Sequence, residues 1–273
     1  MYESPRSVED PKDCFFYHRT GLQDLESQRS DWDLTNCVDS YLGNLNYSGR
    51  RVLDIGTASG FLTFEMEKRG ADVVSFDMPT SANWDLVPHF ALEETREVTL
   101  AKRVKGHQRL QNAYWYLHKR LNSKARVYYG SVYELPVELG NFDTVFLGMI
   151  LGHLRDPFQA IYSASRLCKE RIVITNQATQ KRSRFRRKKN QPSASFMPSR
   201  DNVIGTAWWA FSVECLEAML GTVGFQVVET VDSHPDCLVD DRLGAKKCTS
   251  IVAERFAGQP VGLSATNDAR RAA

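Results

Sequence analysis

The segment from Arg51 to Asp77 constrains this chain more than any other. Arg51-Val-Leu-Asp-Ile55 has the length and aliphatic density of a short buried strand, and it runs into a loop with glycines at 56 and 60. From Phe61 to Lys68 the apolar positions Phe61, Leu62, Phe64 and Met66 are compatible with a helix laid against a sheet. Gly70 sits where a C-cap glycine is expected, and Ala71–Phe76 reads as a second strand ending at Asp77. Strand, tight loop, helix and strand within about 30 residues form a βαβ unit, which joins parallel strands through a right-handed crossover.

The chemistry of this unit lies in its loop, Asp54-Ile-Gly56-Thr57-Ala58-Ser-Gly60. Gly56 permits a sharp turn off the strand, and both glycines let backbone approach a ligand where a side chain would collide. The loop enters a helix N-terminus, where N–H groups and the helix dipole favour a carboxylate or phosphate. Asp77, followed by Met78, is placed to accept hydrogen bonds from a ribose diol. Asp54 is placed to meet an ammonium group, directly or through water. Against this stands the plainer reading that two glycines only close a turn. A nicotinamide site is a second alternative, but its GxGxxG loop is not matched by Gly56-Thr-Ala-Ser-Gly60-Phe61.

The rest of the chain repeats the unit. A long helical region spans Ala91 to Leu121, strands follow at Ala125–Tyr129, Phe142–Leu147 and Arg171–Thr175, and a helix lies near Pro157–Leu167. A helix at Asp33–Leu42 precedes the first strand, and one at Ser212–Leu220 follows the last. Gly224–Val231 and Lys247–Phe256 read as two strands that pair as an antiparallel hairpin at one sheet edge. The expected architecture is a doubly wound α/β domain, a seven-stranded Rossmann-like sheet with the last strand antiparallel. An irregular arm is expected at 1–31, a single domain at 32–257 with a basic lid loop at 177–210, and a small, polar, disordered tail at 258–273. Residues 78–95 form a second long loop.

On these residues the chain resembles the class I methyltransferase family, whose first motif is an acidic residue, one residue, glycine, then a glycine-rich turn. Here the turn has Ala58 where many members have a middle glycine. Later stations of the family are similar to Gly130-Ser131 after the third parallel strand and to Phe142–Leu147 as the fourth. The resemblance covers roughly Trp32 to Glu254. It implies S-adenosyl-L-methionine as cofactor, held by Asp54, Gly56, Thr57, Ala58, Gly60, Asp77, Met78 and Gly148. Many relatives carry an acidic residue near Ser131 for the adenine amino group, and here Ser131 or the backbone at Val132 would serve.

Methyl transfer from a sulfonium is an in-line displacement, in which a protein aligns the nucleophile and excludes water. Its acceptor belongs at the carboxyl ends of the parallel strands. Gly148-Met-Ile-Leu-Gly-His153 fits that position and is similar to the family's fourth motif. Three roles are open to His153: general base, pocket wall, or cap of the following helix. Tyr17, His18 and Trp32 precede the core where relatives place a covering segment. Trp115 and His118, with Tyr114, lie on the long helix, and Trp84, Asp85 and His89 follow Asp77. Trp208 and Trp209 follow the second long loop. Each aromatic reads equally as core or as a platform for a flat acceptor.

Other classes are disfavoured by composition. No run of about 18 apolar residues is present, so no membrane-spanning helix is expected. The six cysteines form no CxxC pair, which suggests neither a metal site nor a disulfide framework, and free thiols suit a cytoplasmic protein. A formal net charge of +2 implies no polyanion by itself, but residues 181–189 hold seven cations around Phe185. That run is either a solvated loop or a contact for RNA. The region from Trp32 through the fourth motif is also similar to the carboxymethyl transferases of the transfer RNA wobble uridine, which implies a carboxylated cofactor and cations to meet it. A small-molecule acceptor, aromatic or sugar-derived, is the preferred expectation; nucleic acid is the alternative. Nothing in the chain specifies an oligomeric state.

Overall fold

The computed structural model describes residues 1–81, 85–87, 95–177, 191–199, 207–258 and 261. In chain order the elements are β1 (Trp32–Asp33), α1 (Val38–Tyr41), β2 (Arg51–Ile55), α2 (Phe61–Lys68), β3 (Asp72–Asp77) and α3 (Arg96–Arg120). Next come β4 (Arg126–Tyr129), β5 (Phe142–Gly148), α4 (Pro157–Leu167), β6 (Cys168–Gln177), β7 (Ala194–Phe196) and β8 (Trp209–Phe211). The chain then forms α5 (Val213–Thr222), β9 (Phe225–Ser233), β10 (Asp236–Cys237), β11 (Gly244–Ala245) and β12 (Cys248–Arg255).

Seven strands make the main sheet, in the order β4-β3-β2-β5-β6-β12-β9. β2 to β6 are mutually parallel, and β12 is antiparallel to both of its neighbours. The doubly wound sheet with a reversed last strand is therefore present. The final pair forms the expected hairpin, but the reversed strand is not outermost: β12 lies between β6 and β9, and β9 forms the edge. α5 carries the chain past the neighbouring position, and the return strand fills the gap.

Burial on both faces explains the near-continuous aliphatic strands. Leu53, Ile55, Val74, Phe76, Val145, Leu147, Ile172 and Ile174 join one core with α4 and α5. Their alternates Val52, Val73, Phe146 and Val173 join a second with α1 and α2. The two-residue period of a strand divides the residues between the faces. α4 starts as its sequence directs, with the Asp156 carboxylate accepting from Gln159 N and Pro157 in the first turn.

Two expectations need correction. The helix expected at Asp33–Leu42 is only the single turn of α1. The Asp33 carboxylate accepts from the backbone N and the hydroxyl of Thr35 at 2.9 and 2.6 Å and pairs with Arg19, and this local bonding competes with helix at its start. The region 177–210 is not wholly loop, because β7 and β8 pair as an antiparallel ribbon within it. The basic run 181–189, Trp84, His89 and most of the expected tail lie outside the described residues. Among the described residues no helix is long and apolar enough to cross a membrane.

Candidate active site

The parallel pairing of β2 with β3 brings the end of one strand beside the end of the other, Ile55 opposite Phe76. The glycine loop then crosses the end of β3, with Gly56 N donating to the Phe76 carbonyl at 2.8 Å. Ala58 N donates to Asp77 Oδ2 at 2.9 Å and Met78 N to Oδ1 at 2.7 Å. Each carboxylate oxygen thus carries one backbone donor and keeps acceptor capacity for a hydroxyl. Burial raises the Asp77 carboxyl above its ordinary value, opposed by His107 and by these two N–H groups.

The structure gives the glycines a reason beyond ligand clearance. Gly56 and Gly60 have φ of 82° and 86°, and Ala58 between them has φ of 51°. A Cβ on Gly56 would fall 2.3 Å from Ile150 Cγ2, and one on Gly60 would fall 2.6 Å from Phe64 and 2.7 Å from Tyr114. Bare backbone here is demanded by protein packing as well as by turn geometry.

Asp54 lies beneath this loop and is 1 % exposed. Its Oδ2 accepts from the Thr63 hydroxyl at 2.6 Å; Ser75 lies 2.8 Å from Thr63, and Tyr114 lies 2.9 Å from Ser75. With Asp54 ionised, the single Thr63 proton is committed to it, so Ser75 donates to Thr63 and Tyr114 to Ser75. Thr57 joins the network 2.7 Å from Thr63. Burial pushes the Asp54 carboxyl up to about 6, against hydrogen bonds from Thr63 and Thr57, with the Asp77 charge adding to the rise. The folded protein therefore holds this proton more tightly than the unfolded chain. The penalty of the buried charge is absent below the ordinary carboxylate value of 3.8 and complete above about pH 6. Asp54→Asn is expected to raise the unfolding free energy at pH 7.5 by about 1–3 kcal/mol, with the gain fading toward pH 4. Thermal melts at both pH values check this, and a pH-independent difference would contradict it.

Three of the expected aromatic residues come together over the loop. The Tyr17 carbonyl accepts from Asp31 N and Trp32 N at 3.0 and 3.1 Å, Arg19 N donates to Trp32 O at 2.7 Å, and His18 pairs with Trp32. His18 N lies 3.5 Å from Ser59 Oγ, and its ring centroid is 5.7 Å from that of Phe61. Burial pushes the Tyr17 phenol up to about 12 and the His18 imidazole down to about 4, so His18 is neutral at pH 7.

His118 is not brought to this rim, and Trp115 reaches it only as a buried partner of Tyr129, the last residue of β4. Trp115 is 2 % exposed and packs with Phe16, Leu25 and Leu117. His118 Nε2 is 3.0 Å from the Ala125 carbonyl, immediately before β4 begins. Since α3 runs back toward the amino ends of the strands, its last turn lies at the opposite rim. Besides Tyr114, α3 brings His107 and Gln111 to the site, and these two sequence reasoning missed. His107 Nε2 is 2.9 Å from the Met78 carbonyl, and Gln111 Nε2 donates to it at 3.1 Å. Their signal was a polar pair at helical spacing, one turn before Tyr114.

Gly130 N donates to the Asp77 carbonyl at 2.9 Å, and Ser131 and Val132 follow directly after it in the chain. Gly148 ends β5, and a Cβ there would fall 2.8 Å from the Phe146 ring. Met149 follows with φ of 57°, and Ile150 then packs on Gly56. His153 is exposed, its N–H donating to the Ile150 carbonyl at 2.9 Å. Next to it stands a cluster not foreseen as such. The Asp85 carboxylate accepts from the Tyr133 hydroxyl and from Arg155 N, and the Asp85 carbonyl accepts from Trp208 Nε1 at 2.6 Å. The Arg155 guanidinium lies 5.4 Å from the Trp208 ring centroid, and Trp209 Nε1 donates to the Arg155 carbonyl. Segments after β3, β4, β5 and β6 are tied together by these bonds.

The arrangement suits an adenosyl amino acid. It offers a carboxylate with spare acceptor capacity for a diol, an α2 whose N-cap Gly60 supplies no side chain, and a buried His18 Nδ1 without a partner among the described residues.

A family profile described as a methyltransferase domain matches residues 36–230. The chain belongs to the class I S-adenosylmethionine-dependent methyltransferases, and S-adenosylmethionine is its cofactor. Among curated proteins it is similar to a tRNA U34 carboxymethyltransferase of Ectopseudomonas mendocina, 27% identical over 212 residues, which cover 75% of this chain and 52% of that one. A tRNA U34 carboxymethyltransferase of Pseudomonas putida is 25% identical over 211 residues, 75% of this chain and 53% of that one. The chain spans about half the length of these relatives. Among solved structures, a SAM-dependent methyltransferase from Aquifex aeolicus superposes with a TM-score of 0.50 at 16% identity, covering 81% of this chain and 90% of that one. That likeness shows the fold.

Proposed function

We propose that this enzyme methylates a small-molecule acceptor, aromatic or sugar-derived, held at the carboxyl rim between the arm and the segment after β5. The observation that carries this reading is the contact of the arm with the glycine loop, His18 N on Ser59 Oγ, which roofs the loop with Tyr17, His18 and Trp32. A roofed rim excludes water and favours a compact acceptor over a folded polymer. In this reading residues 1–31 are a covering arm to a catalytic domain at 32–257, and 177–210 is a lid.

The bound cofactor supplies an electrophilic methyl group on a sulfonium. The protein's part is alignment and dryness: Asp77 fixes the ribose, Asp54 and its hydroxyl chain hold the loop, and Ser131 and Val132 border the adenine. His153 takes the acceptor's proton where the nucleophile carries one. His153→Gln is then expected to lower kcat about 10²–10⁴-fold at neutral pH with cofactor affinity unchanged. Ordinary turnover by the variant would remove the base. Mass spectrometry of ligand retained on purification, followed by an acceptor screen with labelled S-adenosylmethionine, tests the function. Methyl transfer only to RNA would refute it.

A second reading is favoured by one specific observation, that the curated relatives are named for tRNA U34, and the seven cations of residues 181–189 suit a phosphate backbone. It expects transfer RNA binding that weakens steeply with salt and is lost when those residues are neutralised, as anisotropy would record. Salt-insensitive or absent binding would dismiss it.

A further inference from the structure

We propose that His107 and Gln111 are positioning residues for the ribose anchor Asp77, and that the arm acts on cofactor binding through them. The inference rests on the reading that a ribose diol sits on Asp77, and it adds a part for α3 and for the first residues of the chain.

The anchor stands at the very end of its strand. β3 stops at Asp77, and Met78 N donates to Asp77 Oδ1 at 2.7 Å. Pro79 follows and has no N–H with which to continue the ladder, so the Met78 carbonyl lies beyond the sheet. α3 holds it instead. His107 Nε2 is 2.9 Å from that carbonyl, and Gln111 Nε2 donates to it at 3.1 Å. A carbonyl oxygen only accepts, so His107 Nε2 carries its hydrogen and the two donors fill both lone pairs. The 3.2 Å between the two side-chain nitrogens is the approach of donors that share one acceptor.

Both side chains are buried. One partner satisfies a buried carbonyl, and a second fixes its direction. The N–H and C=O of Met78 flank the same Cα, so fixing the carbonyl sets how the N–H meets Asp77. A second handle is electrostatic: burial raises the Asp77 carboxyl, and His107 is the foremost influence against that rise. On its other side Gln111 faces the arm, its Oε1 accepting from Arg6 Nη2 at 3.4 Å. The arm is fastened to this stretch of α3 at neighbouring points. Phe15 N donates to the Arg109 carbonyl at 2.9 Å, Arg109 Nη2 to the Cys14 carbonyl at 2.8 Å and Asn112 Nδ2 to the Asp13 carbonyl at 3.1 Å. A bonded path therefore runs from the arm through Gln111 and Met78 to Asp77.

The test compares two nucleosides by calorimetry. Adenosine has the diol, and 2′,3′-dideoxyadenosine differs from it only in lacking both hydroxyls, so wild-type protein should prefer adenosine. His107→Leu is expected to weaken adenosine about tenfold, the worth of one hydrogen bond, and to leave dideoxyadenosine within about twofold. His107→Gln, whose amide offers a donor near the Nε2 position, should recover most of the loss. Arg6→Ala, at the exposed end of the path, should lower the preference for adenosine about two- to threefold. Equal weakening of both nucleosides by His107→Leu would mean that the residue only packs α3, and no weakening of either would mean that its bond to Met78 is idle; either result overturns the proposal. Should His107→Leu fail to fold, Arg6→Ala carries the test, and an unchanged preference there would overturn it. Wild-type protein that binds the two nucleosides equally defeats the ribose reading itself, whereas a wild-type preference that survives in every variant defeats only this inference.

Discussion

Gly56→Val is expected to lower affinity for S-adenosylmethionine at least about a hundredfold and to destabilise the fold by about 2–4 kcal/mol. The stability loss has two sources on the same atom. Gly56 has φ of 82°, which a β-branched residue does not adopt without strain, and its Cβ would fall 2.3 Å from Ile150 Cγ2. The binding loss follows because the turn sets where Ala58 N meets Asp77, 2.9 Å away, and so where the loop and the carboxylate stand relative to each other. The two effects are separable. Adding Ile150→Ala removes the steric partner and should restore part of the melting temperature, while the strained backbone keeps binding weak. Calorimetry beside thermal melts reads both quantities, and a folded Gly56→Val protein with wild-type affinity would contradict the loop assignment.

Asp77→Ala should cost at least about a hundredfold in cofactor affinity, because hydrogen bonds from a diol to a charged acceptor are worth about 1.5–3 kcal/mol each. The side chain also organises the protein, since its two oxygens accept from Ala58 N and Met78 N. Removing it therefore leaves two half-buried donors without their acceptor as well as a ribose without its anchor. Asp77→Asn keeps one carbonyl oxygen and should fall between wild type and alanine. The discriminating ligand is adenine, which has no ribose: wild-type and variant proteins should bind it alike. A parallel loss for adenine would show that the variant had collapsed the pocket instead of removing a contact.

The parts of this molecule that were legible in its sequence share a physical reason. A parallel strand buried on both faces must be almost wholly aliphatic, so β2, β3 and β5 stood out, and the positive-φ turn between β2 and α2 required glycine at 56 and 60. α4 is legible from Pro157 to Leu167, but its N-cap is Asp156 and not His153, the residue to which that role was open. What could not be read is non-local. Trp115 and His118 have the same residue types and helical spacing as a substrate platform, and only the direction of α3 places His118 on the Ala125 carbonyl at the far rim. His107 and Gln111 reach the site because α3 returns over the Met78 carbonyl, a contact spanning about thirty residues. Ile150 gave no sign that it fills the space beside Gly56, since an apolar residue after a strand is unremarkable until the bend at Met149, with φ of 57°, turns it inward.

The placement of β12 shows the same limit at the level of topology. Pairing of the last two strands could be inferred from their patterns, yet the position of β12 between β6 and β9 depends on where α5 delivers the chain. The short α1 is a different kind of miss. Asp33 and Thr35 are local, and their side-chain bonds to the backbone were the available signal against a helix starting there.

The central claim, that an adenosyl ligand lies across the ends of β2 and β3 with its ribose on Asp77, is tested most directly by a crystal structure of the protein grown with S-adenosylhomocysteine. The account predicts a ribose diol within hydrogen-bonding distance of both Asp77 oxygens and the amino-acid end beside the first turn of α2. A ligand bound elsewhere, with the loop from Gly56 to Gly60 covered by protein alone, would contradict it.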